Sequence, residues 1–302
     1  MMLRKALGVD VGNGYTKYKG GKFASKVDVG TLEEPHGEVH AVTFRGMDYI
    51  VGSTNGATVI EEDKYFSENY LILLLTGIAL SCKDAEEIDA YVTVGVPANQ
   101  YNKAFREKIK QHLKGINENI IVDGVKYTIY LDEVEVGMEG CVVFKTNDTE
   151  TVLGIDVGAG TINAVLWKNK RRVYDYTFDK SFKSLHIEMS DVLKKKYSFR
   201  QEPEKMEQYV GAEYVKIKGL STEVPELKKL LENFIATCSG TIQRNEKLEW
   251  QSCDKIVIFG GGAEKTFPYF KKAFPHAEPI ENSQFINQEV YEMISRAKFN
   301  GI

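Results

Sequence analysis

A seven-residue pattern occurs twice in this chain. Gly8-Val9-Asp10-Val11-Gly12-Asn13-Gly14 returns as Gly154-Ile155-Asp156-Val157-Gly158-Ala159-Gly160. Each copy follows an apolar, strand-forming run: Ala6, Leu7 and Val9 in one, Val152, Leu153 and Ile155 in the other. Each then passes to a hydroxyl residue and more strand-type sequence, Tyr15-Thr16-Lys17-Tyr18 and Thr161-Ile162-Asn163-Ala164-Val165-Leu166. One strand, an aspartate and a glycine turn read as an ordinary hairpin. Recurrence half a chain away, with the same flanks, marks two related halves. Chemically, each copy suits a grip on phosphate and metal. Glycines let the backbone turn tightly and bring N–H groups up to phosphate oxygens. The aspartate at the strand end offers a hard oxygen ligand, through water, to a nucleotide-bound Mg²⁺.

The 302 residues leave room for two lobes, each with its own core. Composition is that of a globular chain, 43% hydrophobic and 27% charged with 7 prolines, which excludes a large disordered tail. A net charge of −4 speaks against a chain-wide nucleic-acid-binding surface and does not exclude binding DNA through a partner. Cys82, Cys141, Cys238 and Cys253 are far apart and form no C-x-x-C pair, so neither a zinc site nor a redox motif is expected. They read as buried thiols in a reducing cytoplasm. The start, Met1-Met2-Leu3-Arg4-Lys5, lacks a signal-peptide core. The most apolar run, Tyr70 to Cys82, has 13 residues and is too short for a bilayer, so a buried helix is expected. The expected location is cytoplasmic, with no membrane partner.

Along the chain, residues 39–51 read as a hairpin around Arg45-Gly46-Met47-Asp48, and 88–96 as a buried strand stopped by Pro97. Residues 99–114 form an amphipathic helix, and 120–130 a hairpin through Asp123-Gly124. The first lobe is placed at 1–150, with a small β subdomain at about 20–68, and the second at 151–302. In the second, 171–178 is a strand and 184–197 a helix. Residues 198–225 are weakly patterned and polar, part of a peripheral subdomain at about 180–225. Pro225 opens a helix to about 248, 255–259 is a strand, and a last helix spans about 287–298. Strands alternating with helices indicate α/β lobes.

A third glycine run, Gly260-Gly261-Gly262-Ala263-Glu264, lies between the 255–259 strand and a helix. It lets a flat group lie on the backbone and presents a helix N-terminus. Taken in order, the three runs resemble the actin/Hsp70/sugar-kinase superfamily over nearly the whole chain. Within it, the DVGNGYTK and FGGGAE segments look most like bacterial actin-like proteins of the ParM type. The resemblance implies an actin-like ATPase fold, two duplicated lobes with the ribonuclease H-like motif around a nucleotide cleft.

The resemblance also implies roles for residues. Asp10 and Asp156 would face Mg²⁺ through its waters. Gly12, Asn13, Gly14, Thr16, Gly158, Ala159, Gly160 and Thr161 would line the phosphates, with Lys17 neutralising their charge. Gly261, Gly262 and Ala263 would flank the nucleoside, with Glu264 near the ribose. A carboxylate in the first crossover, within Val136-Gly137-Met138-Glu139-Gly140, would position the attacking water. Glu139 takes that role. Met138 stands where the family usually has proline, which leaves Glu135 and Glu133 as fallbacks. Residues 281–289 fall where the family has a second crossover, without its usual glycine.

The function implied is a filament-forming NTPase using ATP or GTP with Mg²⁺. It would self-associate head to tail and move plasmid DNA through a small DNA-binding adaptor. The alternative is a small-molecule kinase or activator-type ATPase on the same fold.

Overall fold

Strand and helix signals alternate along the chain and sort into two units. A computed structural model describes residues 2–34, 37–53, 57–58, 64–147 and 149–299. One unit comprises Met1–Cys141 and Phe285–Ile302, the other Val142–Gln284. Part of the expected small β subdomain, 35–36, 54–56 and 59–63, lies outside the described residues.

The first unit begins with β1 (Leu3–Gly8), β2 (Asp10–Val11), β3 (Tyr15–Tyr18), β4 (Gly21–Ala24), β5 (Lys26–Val29), β6 (His40–Phe44), β7 (Met47–Val51) and β8 (Ala57–Thr58). It continues through α1 (Glu68–Ser81), β9 (Glu87–Val96), α2 (Lys103–Leu113), β10 (Asn117–Val122) and β11 (Val125–Met138). One sheet runs β1-β9-β11-β10-β6-β7-β5-β8, with β1, β9 and β11 mutually parallel. β2, β3 and β4 form a separate antiparallel sheet. The apolar run predicted to be a buried helix is α1, which is buried from Tyr70 to Leu80 and capped by Ser67 accepting from the Tyr70 N–H. The amphipathic helix starts at Lys103 rather than 99, because Asn102 caps it by accepting from the Phe105 N–H at 2.9 Å.

The second unit holds β12 (Thr151–Val157), β13 (Ile162–Lys168), β14 (Arg171–Phe178), α3 (Phe182–Tyr197), β15 (Tyr214–Ile217), β16 (Leu220–Glu223), α4 (Pro225–Arg244), β17 (Lys255–Phe259), α5 (Ala263–Ala273) and β18 (Ala277–Pro279). Its five-stranded sheet runs β14-β13-β12-β17-β18, with β12, β17 and β18 parallel. Leu153, Ile155 and Leu166 share one apolar core with Leu185 and Met189 of α3 and Leu231 and Ile235 of α4. The polar stretch after α3 contains a 3₁₀ turn, Pro203–Tyr209, and the β15–β16 hairpin. The helix opened by Pro225 ends at Arg244, four residues short of the expected 248.

The last helix, α6 (Ile286–Lys298), packs in the first unit. The chain therefore divides after Cys141, where 150 was expected, and its end does not stay with the second unit. Close approach explains the return. A Cβ on Gly8 would lie 2.3 Å from the Glu292 N, and Cβ atoms on Gly95 and Gly137 would come within 2.0 Å of the Tyr291 hydroxyl and 2.8 Å of its ring. These three glycines of β1, β9 and β11 make a flat seat that side chains would fill. The Gln288 amide donates to the Gly8 carbonyl at 3.2 Å, Ser295 Oγ to the Leu7 carbonyl at 2.8 Å, and the Gly140 N–H to Asn287 Oδ1 at 3.1 Å.

Candidate nucleotide-binding site

The first glycine turn joins β2 to β3, which pair with Asp10 opposite Lys17 and Val11 opposite Thr16. The Gly12 N–H donates to the Tyr15 carbonyl at 3.2 Å, and the Ser25 N–H to the Gly14 carbonyl at 3.0 Å. Asp10 is only 4% exposed, and Lys17 Nζ lies 2.9 Å from its Oδ2. A carboxylate so far from water needs such a partner. Thr16 was expected among the nucleotide-binding residues. Instead it is fully buried, its hydroxyl 2.9 Å from Ser25 Oγ, because neighbours on a strand face opposite ways and Lys17 takes the other side.

The second turn repeats the first. The Gly158 N–H donates to the Thr161 carbonyl at 3.0 Å, and Asp156, also 4% exposed, pairs across the strands with Asn163. Where the first turn has a cation, the second has a fully buried amide. Asn163 Oδ1 accepts from Thr177 Oγ1 at 2.8 Å, and its amide nitrogen lies 3.3 Å from Thr161 Oγ1. The first N–H groups of α3 close on this turn, Phe182 to the Gly158 carbonyl at 3.4 Å and Lys183 to the Ala159 carbonyl at 3.0 Å.

The third glycine run is anchored to the second turn. β17 runs parallel to β12 with Phe259 level with Asp156, so Gly260 leaves its strand directly over that aspartate. Gly260 has φ +95°, and a Cβ there would lie 2.3 Å from Asp156 Oδ1. The Gly262 N–H donates to the Val157 carbonyl at 2.9 Å, and α5 begins at Ala263, with Gly261 and Glu264 exposed.

In the first unit, Asp10 and Glu139 follow the carboxyl ends of the parallel strands β1 and β11, the edge where open α/β sheets bind ligands. Glu139 is half-buried, and its N–H donates to the Val96 carbonyl at 2.8 Å, extending the β11–β9 pairing. The two fallback carboxylates are otherwise engaged. Glu135 is buried, 2.7 Å from Lys110 and 3.9 Å from Arg106, and also pairs with Lys298. Glu133 pairs with Lys114.

Sequence reasoning missed Lys64. It starts the 3₁₀ turn Lys64–Phe66 that leads into α1, yet is 7% exposed. Its Nζ donates to the Val11 carbonyl at 3.1 Å and to Asn13 Oδ1 at 3.0 Å. Burial pushes its ammonium below the ordinary lysine range, while the charges of Glu139 and then Asp10 oppose that shift. Lys64 therefore senses both acidic residues of the sheet edge. Beside it, Tyr65 and Tyr70 are buried with hydroxyls that have no partner among the described residues. Burial raises both phenols, with Glu139 and Asp10 adding to the effect. The only sequence signal was a lysine set against Tyr65-Phe66 just before a helix cap, which charged surface turns also show.

Asp10 in the first unit and Asp156 in the second each offer carboxylate oxygens, hard donors of the kind that suit a cation held through water. Among the described residues no three His, Cys, Asp or Glu side chains gather into a metal cage. All four cysteines are buried. No helix of the described residues is long and apolar enough to cross a membrane.

Parallel strands ending in matched Asp–Gly turns, in two units of one chain, define an actin-like fold. Residues 8–141 match the family model of the actin-like proteins' N-terminal domain. An archaeal actin homologue, Ta0583, in its complex with ADP, is 16% identical with a TM-score of 0.78, covering 98% of this chain and 100% of that one. A 15-stranded ParM filament from Clostridium botulinum is 15% identical with a TM-score of 0.78, covering 97% and 99%. The apo pSK41 ParM protein is 17% identical with a TM-score of 0.70, covering 98% of each chain. No curated protein sequence matches this one.

Proposed function

We propose that this chain is a Mg²⁺-dependent NTPase that assembles into filaments on binding ATP or GTP and segregates plasmid DNA through a DNA-binding adaptor. The observation that carries the reading is the doubled turn. Both copies close by the same Gly-to-carbonyl hydrogen bond, and both present a buried aspartate at a strand end. Two of the structures that share its fold are ParM proteins, one of them in a filament. A cytoplasmic location and head-to-tail self-association belong to the same proposal.

In this mechanism the N–H groups of 12–14 and 158–161 receive the β- and γ-phosphate oxygens, and Lys17 offsets their charge. Asp10 and Asp156 hold the waters of Mg²⁺, whose chemistry is to neutralise charge on the phosphates. Glu139 orients the attacking water and accepts its proton. Gly261, Gly262 and Ala263 flank the nucleoside, and Glu264 reaches the ribose. Loss of the γ-phosphate then removes contacts to both turns, which makes hydrolysis a switch for disassembly.

Sedimentation with ATP, GTP and a non-hydrolysable analogue tests this. Polymer is expected with a triphosphate, and it should persist with the analogue. Phosphoryl transfer to a small molecule with no polymer at any concentration would favour the kinase reading and sink this one. Asp156→Ala is expected to abolish Mg-nucleotide binding in calorimetry.

A further inference from the structure

Lys64 occupies a position that ordinary stability does not explain. An ammonium loses much of its hydration when buried, and an apolar side chain among Tyr65 and Tyr70 would avoid that cost. What the lysine gains there is two acceptors, the Val11 carbonyl at 3.1 Å and Asn13 Oδ1 at 3.0 Å. They flank Gly12, whose own N–H is held on the far side of the turn by the Tyr15 carbonyl. The limb from Val11 to Asn13 is thus fixed at both ends by one buried side chain that arrives from the 3₁₀ turn before α1.

The geometry points to Lys64 as a positioning residue of the first glycine turn: its ammonium pins the Val11 carbonyl and the Asn13 side chain, so that the turn keeps the shape in which its N–H groups meet phosphate. This rests on the nucleotide reading above. Preorganised donors lose little on binding, whereas a loosened turn must be ordered by the ligand at the expense of affinity. The charges facing Lys64 fit such a site: Glu139 and Asp10 favour its ammonium, and Lys17 opposes it. Lys64 acts through the turn and is assigned no contact with the reacting atoms.

The test is a double-mutant cycle of Lys64→Met and Asn13→Ala. Each variant is titrated with MgATP and MgGTP, with thermal unfolding recorded alongside. Lys64→Met is expected to bind the triphosphate about tenfold more weakly, the scale of one lost charge-assisted hydrogen bond. Its phosphate release at saturation should stay within about twofold, because a loosened turn taxes binding more than the chemical step. Asn13→Ala should weaken binding in the same direction. The double variant should bind no more weakly than Lys64→Met alone, since the two act through one contact. Unchanged affinity in a folded Lys64→Met, or fully additive losses, would overturn the inference. If Lys64→Met does not fold, Asn13→Ala carries the test by itself, and unchanged affinity there overturns the assignment. An unsubstituted chain that binds neither nucleotide overturns the nucleotide reading and this inference together. Binding by that chain with no loss in the variants overturns this inference alone.

Discussion

Lys17 Nζ lies 2.9 Å from Asp10 Oδ2, and the two residues are register partners across β2 and β3. The same register position in the second unit sets Asn163 opposite Asp156. The two turns share a backbone and differ in charge. Lys17→Met is therefore expected to weaken triphosphate binding by about tenfold or more, and to reduce the salt dependence of that binding. It should also cost about 1–3 kcal/mol of stability, because Asp10 stays buried without its cation. Asn163→Ala should cost similar stability while leaving the salt dependence intact. Titrations at two ionic strengths separate these outcomes, and equal salt slopes for Lys17→Met and the unsubstituted chain would refute the assignment.

Glu139 and Glu135 lie four residues apart, with Glu135 inside β11 and Glu139 just past its end, but their surroundings divide their roles. Glu139→Gln is expected to slow phosphate release by about 100-fold while nucleotide-dependent pelleting persists. Glu135→Gln should instead destabilise the first unit by about 3 kcal/mol, because Lys110, Arg106 and Lys298 lose their shared carboxylate. Its phosphate release per folded molecule should be unchanged. Release and urea unfolding measured on both variants check the pair, and the reverse pattern would move the water-positioning role to Glu135.

Much of this was legible in the sequence, for identifiable reasons. The doubled turn is local, so its residue types declare themselves: β2–β3 and β12–β13 follow directly from strand, Asp, Gly-x-Gly and strand. The helix α1 was legible because thirteen consecutive residues, Tyr70 to Cys82, carry no charge. The return of α6 to the first unit was not legible. It depends on Gly8, Gly95 and Gly137, residues far apart in sequence that become one seat for Tyr291 only once β1, β9 and β11 pair. Lys64 was hidden for a related reason: its acceptors, Val11 and Asn13, lie some fifty residues earlier. Thr16 misled because a motif gives spacing while strand alternation decides which face a side chain takes.

Acid should loosen the second unit through Glu226. The Lys196 ammonium at 2.9 Å, and then the Tyr197 hydroxyl at 2.7 Å, hold the Glu226 carboxyl down at about 2. The folded value lies below the ordinary 4.5, so the contribution is present above pH 4.5 and is lost as pH falls toward 2. Lys196 is 59% exposed, which keeps the effect under about 1 kcal/mol. Urea midpoints should place the unsubstituted chain above Glu226→Gln near neutrality, with the gap narrowing by about pH 3. A gap that stays constant or widens in acid would show that the α3–α4 contact does not depend on this charge.

Gly260 links the third glycine run to the second turn, and Gly260→Ala is expected to break that link. Two costs combine. At φ +95° a side chain is strained by about 1–3 kcal/mol. The new methyl would also lie 2.3 Å from Asp156 Oδ1 and 2.8 Å from the Val157 carbonyl oxygen. Either the aspartate or the glycine run must move, and both belong to the proposed site. The variant should therefore melt lower and also lose Mg-nucleotide affinity by more than its lost stability accounts for. Gly261→Ala is the control for folding. Its φ is ordinary, and the nearest atom a Cβ would meet is Gln284 Nε2 at 3.8 Å, so its melting temperature should stay close to that of the unsubstituted chain. Calorimetric melting and nucleotide titration of the two variants together decide the matter. If Gly260→Ala melts and binds like Gly261→Ala, Asp156 is not held by the run above it, and the third glycine run has no mechanical part in the site.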